Sequence, residues 1–392
     1  MDFKALASRF EPRVIEARRW FHAHPELSGK ETETAKRIRA LLTEAGIEWR
    51  PCGKTLPGTV ATVKGGRPGR TFMLRSDTDA LPVAEMTGLP FASENPGVMH
   101  ACGHDCHMAM LYGAALMAKA IAPEIPGTVK FVFQPSEENG AGAPDMIADG
   151  ALEGVDAMFG MHVWPDLPAG KVSIEKGGRM ASVDRFAITV EGVGGHAAMP
   201  HLCKDPAPAA AAIVTALQTI VSRETGPLEN ALLTVGTIHS GTRWNVISGK
   251  AEITGTVRCF SEAARQKIES SMRRIASKTA EGLGCRASVA YDRLSDPVIN
   301  SEAIASLASE AAADLFGAEA NASYPPTLVG EDFGFYCDKV PAAFGFFGVA
   351  DPASPGKAHP LHSDKCSPWE PALIRGSLLH LRTALLYLER NT

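Results

Sequence analysis

The sequence predicts an α/β protein in two folding units, and three observations predict it. Strands alternate with helices over residues 1–181, a block at 182–293 has its own βαββαβ rhythm, and the alternation resumes over 294–392. The expected layout is a catalytic domain with a mixed sheet flanked by helices, assembled from 1–181 and 294–392. A smaller α+β module, 182–293, is inserted into it.

Two amphipathic helices open the chain. Ser28 with Glu31 three residues on has the spacing of a capping box for the second, which closes at Gly46 just past Leu41, Leu42 and Ala45. Residues 59–64 and 71–75 are β-prone runs split by the turn GGRPGR at 65–70. A long helix is expected from about Cys106, with Met110, Ala114, Leu116 and Met117 on its apolar side. TVKFVF (128–133) and AMFGM (157–161) read as buried strands. In the inserted block, strands fall at 186–191, 232–238, 251–258 and 286–291, and helices at 206–222 and 261–283. A helix, a strand at 344–349 and a last helix at 371–388 complete the first unit.

With 45% hydrophobic and 21% charged residues in 392, the chain has enough apolar content to exclude disorder. Its formal charge is 39 − 44 = −5 and no Lys/Arg block occurs, which argues against a nucleic acid or an anionic membrane as partner. The first twenty residues carry charges every few positions, unlike a signal peptide, and no apolar run approaches the ~18 residues of a membrane span. The eight cysteines are widely scattered, so a disulfide scaffold is not expected and a cytoplasmic setting is.

The densest polar cluster is His100-Ala-Cys102-Gly-His104-Asp105-Cys106-His107, whose thiols and imidazoles suit a borderline-soft divalent metal. Alone, such a helix start is as often a simple cap. Three more ligand-type positions follow strands, where α/β sheets place functional groups: Asp77 and Asp79, Glu137 and Glu138, and His162. Recurrence at three strand ends outweighs surface decoration. Adjacent glutamates offer two roles at one place, and the expectation is that Glu138 ligates while Glu137 exchanges protons.

These motifs resemble the M20 metallopeptidase family, closely its amidohydrolase branch of hippurate hydrolases, N-acyl-amino-acid aminoacylases and auxin-conjugate hydrolases. The matching segments are RRWFHAHPELSGKE (18–31), LRSDTDALPV (74–83), MHACGHDCHMAML (99–111), FVFQPSEENGAGA (131–143), FGMHVWP (159–165), VEGVGGHAAMPH (190–201), NVISGKAEITGTVR (245–258), GEDFGFY (330–336) and HPLHSD (359–364). They keep the family's order along nearly the whole chain. The resemblance implies a site for two divalent metals held by Cys102, His104, Glu138, His162 and His362, with Cys102 bridging and Glu137 as general base. Zinc is the first expectation; manganese, cobalt and nickel also suit the branch. Asp79 is implied to orient a ligand from behind. The inserted block is implied to be a lid and dimerisation domain, through which a homodimer, or a higher oligomer, forms. From it His196 and Asn245 are implied to steady an oxyanion across subunits, and Arg258 to pair the substrate carboxylate.

Departures from the family pattern are Cys106 and Met108, Ser248 after NVI, the absence of Ser before Glu331, and the segment around Cys366. Cys106, Met108 and the Cys366 region are expected to line or reshape the cleft. Among the other histidines, His22 and His24 are expected to cap the first helix, His100 and His107 to stand behind the ligands, and His239 and His380 to be structural; His201 has no assigned task. The expected function is metal-dependent hydrolysis of an N-acyl-amino acid, with a metal-activated water cleaving the amide. A carboxypeptidase or dipeptidase on the same scaffold is the neighbouring alternative. A cysteine hydrolase using Cys102 with His104, and a non-catalytic metal-stabilised binding protein, are the readings from other classes.

Overall fold

Two strands rich in apolar side chains, Arg67–Asp77 and Pro126–Gln134, pair in parallel at the centre of a seven-stranded sheet, with Leu74 opposite Phe131. The computed structural model describes residues 2–354 and 356–391. From edge to edge the sheet runs Glu48–Pro51, Thr59–Lys64, Pro126–Gln134, Arg67–Asp77, Ala157–Pro168, Ala342–Ala350 and Val172–Ser173. Its three central pairings are parallel and those toward the edges antiparallel, so the sheet is mixed. Central strands that are buried along most of their length need covering on both faces, and their continuous apolar runs reflect that.

The helix His104–Ala120 is buried from His104 through Ala118. A helix apolar nearly all round belongs inside a core. Here it packs against the opening helix Phe3–Ala23 and the last helix Leu373–Arg390, joining Val14, Phe21, Met110, Leu111, Met117, Leu379 and Leu385 to the sheet's Phe72, Leu74, Phe131 and Phe159. Only its first turn is polar, with His104, Asp105 and His107 all buried. Buried polar groups require partners, and each of these side chains has at least one, as described below.

The chain folds as two compact units, one made of 1–179, 298–325 and 332–392 and the other of 180–297 and 326–331. The second unit holds a four-stranded antiparallel sheet in the order Ala231–Ser240, Lys250–Cys259, Val183–Glu191, Arg286–Ser295. Its two helices, Pro206–Thr219 and Glu262–Gly282, enclose Phe186, Ile188, Ile213, Leu217, Ile253 and Met272. This is the strand order of a split βαβ module. Among the described residues no helix is long and apolar enough to cross a membrane, and all eight cysteines are free.

Several local expectations need correction. Ser28 does not cap the second helix, Thr32–Glu44: its Oγ donates to Asp79 Oδ2 at 2.7 Å, and Glu31 makes no cap hydrogen bond. Glu26 satisfies the helix start instead, accepting from Thr34 N at 2.8 Å and Thr34 Oγ1 at 2.9 Å. The expected turn at 65–70 shrinks to its two glycines, because the strand begins at Arg67, and Asp77 is that strand's last residue. The strand expected to stop at Met161 runs to Pro168, so His162 projects from within it, opposite Phe346. Pairing with neighbouring strands, which sequence periodicity does not contain, extends both.

Candidate metal centre

Cys102, His104 and the loop after Pro126–Gln134 converge because of local backbone choices. Gly103 sits between the two ligand-type side chains with φ 85°, and a Cβ there would lie 2.5 Å from Val163 Cγ2. Only glycine meets both demands. The turn it makes starts the buried helix and leaves Cys102 7% exposed, with Sγ 3.3 Å from His162 Nε2. On the other side of the thiol, His362 Nε2 also lies 3.3 Å from Sγ. His362 has φ 65°, and its backbone N–H donates to the Ala101 carbonyl at 2.8 Å, which fixes the 359–364 loop against the cysteine.

Glu138 completes the ring. Its Oε1 is 3.5 Å from His362 Nε2 and 3.9 Å from His104 Nε2, while Glu137 Oε2 is 3.9 Å from His104 Nε2. Two groups of three donors able to hold an ion, Cys102-His104-His162 and Cys102-Glu138-His362, therefore share one thiol. Donors bound to one cation at ~2.0–2.3 Å stand about 3.3–3.8 Å apart at near-tetrahedral angles, close to the separations found.

His104 and His162 offer Nε2 because Nδ1 is occupied. His104 Nδ1 donates to the Asp79 carbonyl at 2.8 Å and His162 Nδ1 to the Val163 carbonyl at 2.7 Å. His104 Nε2 and Glu138 Oε1 are buried with no hydrogen-bond partner among the described residues, a costly state unless something binds there. Electrostatics point the same way. Burial disfavours the His104 imidazolium, yet Asp77, Asp79 and Glu138 outweigh it and lift its pKa to about 10. Burial, with Glu138 and Glu137 nearby, pushes the Cys102 thiol well up, and burial holds His162 well below its ordinary value. The pocket is thus short of positive charge and borrows a proton on His104; a divalent cation fits this donor set and would displace that proton and the thiol's.

Around the donors stands a layer that is only partly visible in the sequence. Asp79 Oδ2 accepts from Glu138 N at 3.0 Å as well as from Ser28, and its Oδ1 is 3.3 Å from His104 Nδ1. His107 Nδ1 donates to Asp77 Oδ1 at 2.6 Å, and its Nε2 accepts from Val163 N at 2.8 Å, next to His162. Asp332 receives Gln134, Ala143 N and Arg75, fastening both ends of the 134–143 loop. Alternation of a buried strand with an acidic residue is a signal for Asp77; Asp332 has none beyond its place in GEDF.

Other expectations differ. His24 does cap the first helix, donating to Trp20 O at 2.8 Å, but His22 lies between Asp105 Oδ2 (2.9 Å) and Glu85 Oε1 (3.1 Å). Cys106 and Met108 are wholly buried in the core and line no cleft; Cys366 itself packs with Met99 and Ala101, while its neighbours Lys365, Ser367 and Pro368 line a cavity with Phe91 and His359. In the second unit, the short strands Gly195–His196 and Val246–Ile247 pair His196 with Val246, and Ala197 N donates to Asn245 O at 3.2 Å, which makes His196 and Asn245 neighbours. Exposed His196 accepts from Ala198 N at 3.0 Å. Arg258, on Lys250–Cys259, donates to Thr256 Oγ1 and to Val257 O at 3.0 Å, and burial lowers its pKa.

Residues 73–385 match the model of peptidase family M20/M25/M40. The chain belongs to this family. Among its relatives, N-acetylcysteine deacetylase of Bacillus subtilis (strain 168) is 44% identical over 87% of this chain and 89% of that protein. Thermostable carboxypeptidase 1 of Saccharolobus solfataricus is 37% identical over 96% of each. A Bacillus subtilis crystal structure described as a dinuclear metal-binding peptidase from the M20 family superposes with a TM-score of 0.86, at 38% identity, over 97% of this chain and 99% of that one. The chain is an M20-type hydrolase of amide bonds with the fold of those enzymes.

Proposed function

We propose that this M20 protein hydrolyses N-acyl-amino acids to a carboxylate and a free amino acid. One observation carries the reading: two donor trios share the Cys102 thiol, with Glu137 beside them. Cys102, His104, Glu138, His162 and His362 would hold two divalent cations, zinc first among manganese, cobalt and nickel. When bound, such cations polarise an amide carbonyl and lower the pKa of water from 15.7 toward ~7.

The chain's own groups do the rest. Glu137 takes a proton from the attacking water and returns it to the departing nitrogen. Asp79 holds His104 and the Glu138 backbone in place. His196 and Asn245, adjacent donors on the lid module, act across a homodimer to steady the oxyanion at the partner subunit's site, and Arg258 pairs the substrate's carboxylate. The free thiols suit a cytoplasmic setting.

The deacetylase supports an acyl substrate, whereas the carboxypeptidase supports the second reading, a peptide on the same site. Chelation followed by add-back of each metal, across acetyl-, benzoyl- and longer acyl-amino acids and dipeptides, tests both. The first reading expects acyl substrates to dominate with metal-dependent turnover; dipeptides dominating favours the second, and activity that survives chelation but not a thiol reagent favours a cysteine hydrolase.

A further inference from the structure

The loop bearing Glu137 and Glu138 begins in a conformation that its sequence does not favour. Ser136 has φ 58°, a region open to glycine and rarely used by serine. What holds it there comes from 105 residues earlier: Glu31 Oε1 accepts from Ser136 N at 2.7 Å and from Ser136 Oγ at 3.4 Å. Glu31 is 1% exposed, and its Oε2 has no hydrogen-bond partner among the described residues. Burial pushes its pKa up to about 7, with Asp79 adding to the rise. The Ser136 carbonyl in turn accepts from Ala141 N at 3.2 Å and Gly142 N at 3.1 Å, closing the loop on itself. Two residues beyond, Glu138 N is tied to Asp79.

We infer that Glu31 is a positioning residue, which by holding Ser136 left-handed sets the direction of both Glu137 and Glu138. The functional half of this inference rests on the amidohydrolase reading. Ser136 precedes both glutamates, so a change in its backbone swings the two carboxylates together. Relaxation to negative φ would move them off the thiol-centred cluster, and a displacement of ~1 Å costs about 100-fold in rate. The contact needs an acceptor at Oε1 and no charge, so glutamine serves as well as glutamate. It also becomes dispensable if residue 136 is glycine.

The test compares wild type with Glu31→Ala, Glu31→Gln, Ser136→Gly and the double variant Glu31→Ala/Ser136→Gly. Two readouts are taken: kcat and KM with zinc or manganese added, and backbone hydrogen exchange of residues 136–142 in metal-free protein. Glu31→Ala is expected to lower kcat about 10- to 100-fold with little change in KM, and to speed exchange at Ser136, Ala141 and Gly142. Glu31→Gln is expected to behave like wild type, and the double variant to recover most of the lost kcat. Native kcat and native exchange in Glu31→Ala overturn the inference, as does equal loss in the alanine and glutamine variants with no recovery on adding glycine. Should Glu31→Ala fail to fold, Glu31→Asp, which withdraws the carboxylate by one methylene, is read in its place with and without Ser136→Gly. If wild type cleaves no amide, the amidohydrolase reading falls while the exchange pattern still decides the link between Glu31 and Ser136.

Discussion

The carboxylate of Asp79 accepts the Glu138 backbone N–H at 3.0 Å while its own carbonyl receives His104 Nδ1–H at 2.8 Å. One residue therefore sets two of the five proposed ligands, one through its side chain and one through its backbone. Replacing Asp79 with Ala should spare the carbonyl contact and release Glu138, weakening cation affinity by roughly 10- to 100-fold, as loss of groups behind metal ligands commonly does. Titration calorimetry with zinc and manganese measures this; unchanged affinity removes Asp79 from the support of the site.

Glu137→Gln keeps the side chain's size and one acceptor oxygen, replaces the other oxygen by an NH2 donor, and cannot accept a proton. Turnover should fall by about 10²- to 10⁴-fold. Two cations per chain, measured by elemental analysis, should persist. An active Glu137→Gln enzyme would falsify the general-base role, and loss of metal would move Glu137 among the ligands.

Removing the cations should destabilise the folded chain, because they bind the native donor arrangement far better than the unfolded one. At a free metal concentration of 100 Kd the gain is about 2.7 kcal/mol. A chelator should therefore lower Tm, and add-back should restore it together with activity. Cys102→Ser should blunt both responses, since the shared thiol belongs to each donor trio.

How much of this is legible in the sequence depends on what each feature rests on. The alternation of strands and helices and the Cys102-Gly103-His104 triplet are local, and local patterns survive into the fold. Ser28 and Glu31 have the spacing of a capping box, yet their side chains reach Asp79 and Ser136, partners far along the chain that no window of residues contains. His22 is deceptive for a similar reason: its position near the helix end is visible, whereas Asp105 and Glu85, which enclose it, become neighbours only on folding. The joining of 326–331 to the second unit likewise follows from proximity in space and not from chain order.

That enclosed histidine makes a pH prediction. Burial alone would raise the Glu85 pKa, but His22, Thr87 and the Ser93 amide overcome it and hold it at about 2, below the 4.5 of a free glutamate. A carboxylate depressed in the folded state contributes stability that is present above its unfolded pKa and disappears as pH falls through the folded one. The contribution is roughly 2–3 kcal/mol, full above about pH 5 and lost toward pH 2. Glu85→Gln should therefore lower Tm at pH 6, and the gap from wild type should close as acid is added. A gap that stays constant from pH 6 to pH 3 would show that Glu85 contributes by packing and not by charge.

Gly103 gives the sharpest structural test, because its geometry forbids a side chain twice over. At φ 85° an alanine is strained, and its Cβ would sit 2.5 Å from Val163 Cγ2, beside the strand residue His162. The buried Val163 must turn its side chain or shift, which disturbs the strand at His162, or 102–104 must rotate, which parts Cys102 from His104. Gly103→Ala should cost roughly 2–4 kcal/mol and abolish high-affinity metal binding even where the protein remains folded. Circular dichroism at low temperature with parallel metal titration separates the two losses. A folded Gly103→Ala protein that binds two cations as tightly as wild type would mean that the approach of Cys102 and His104 does not depend on this glycine.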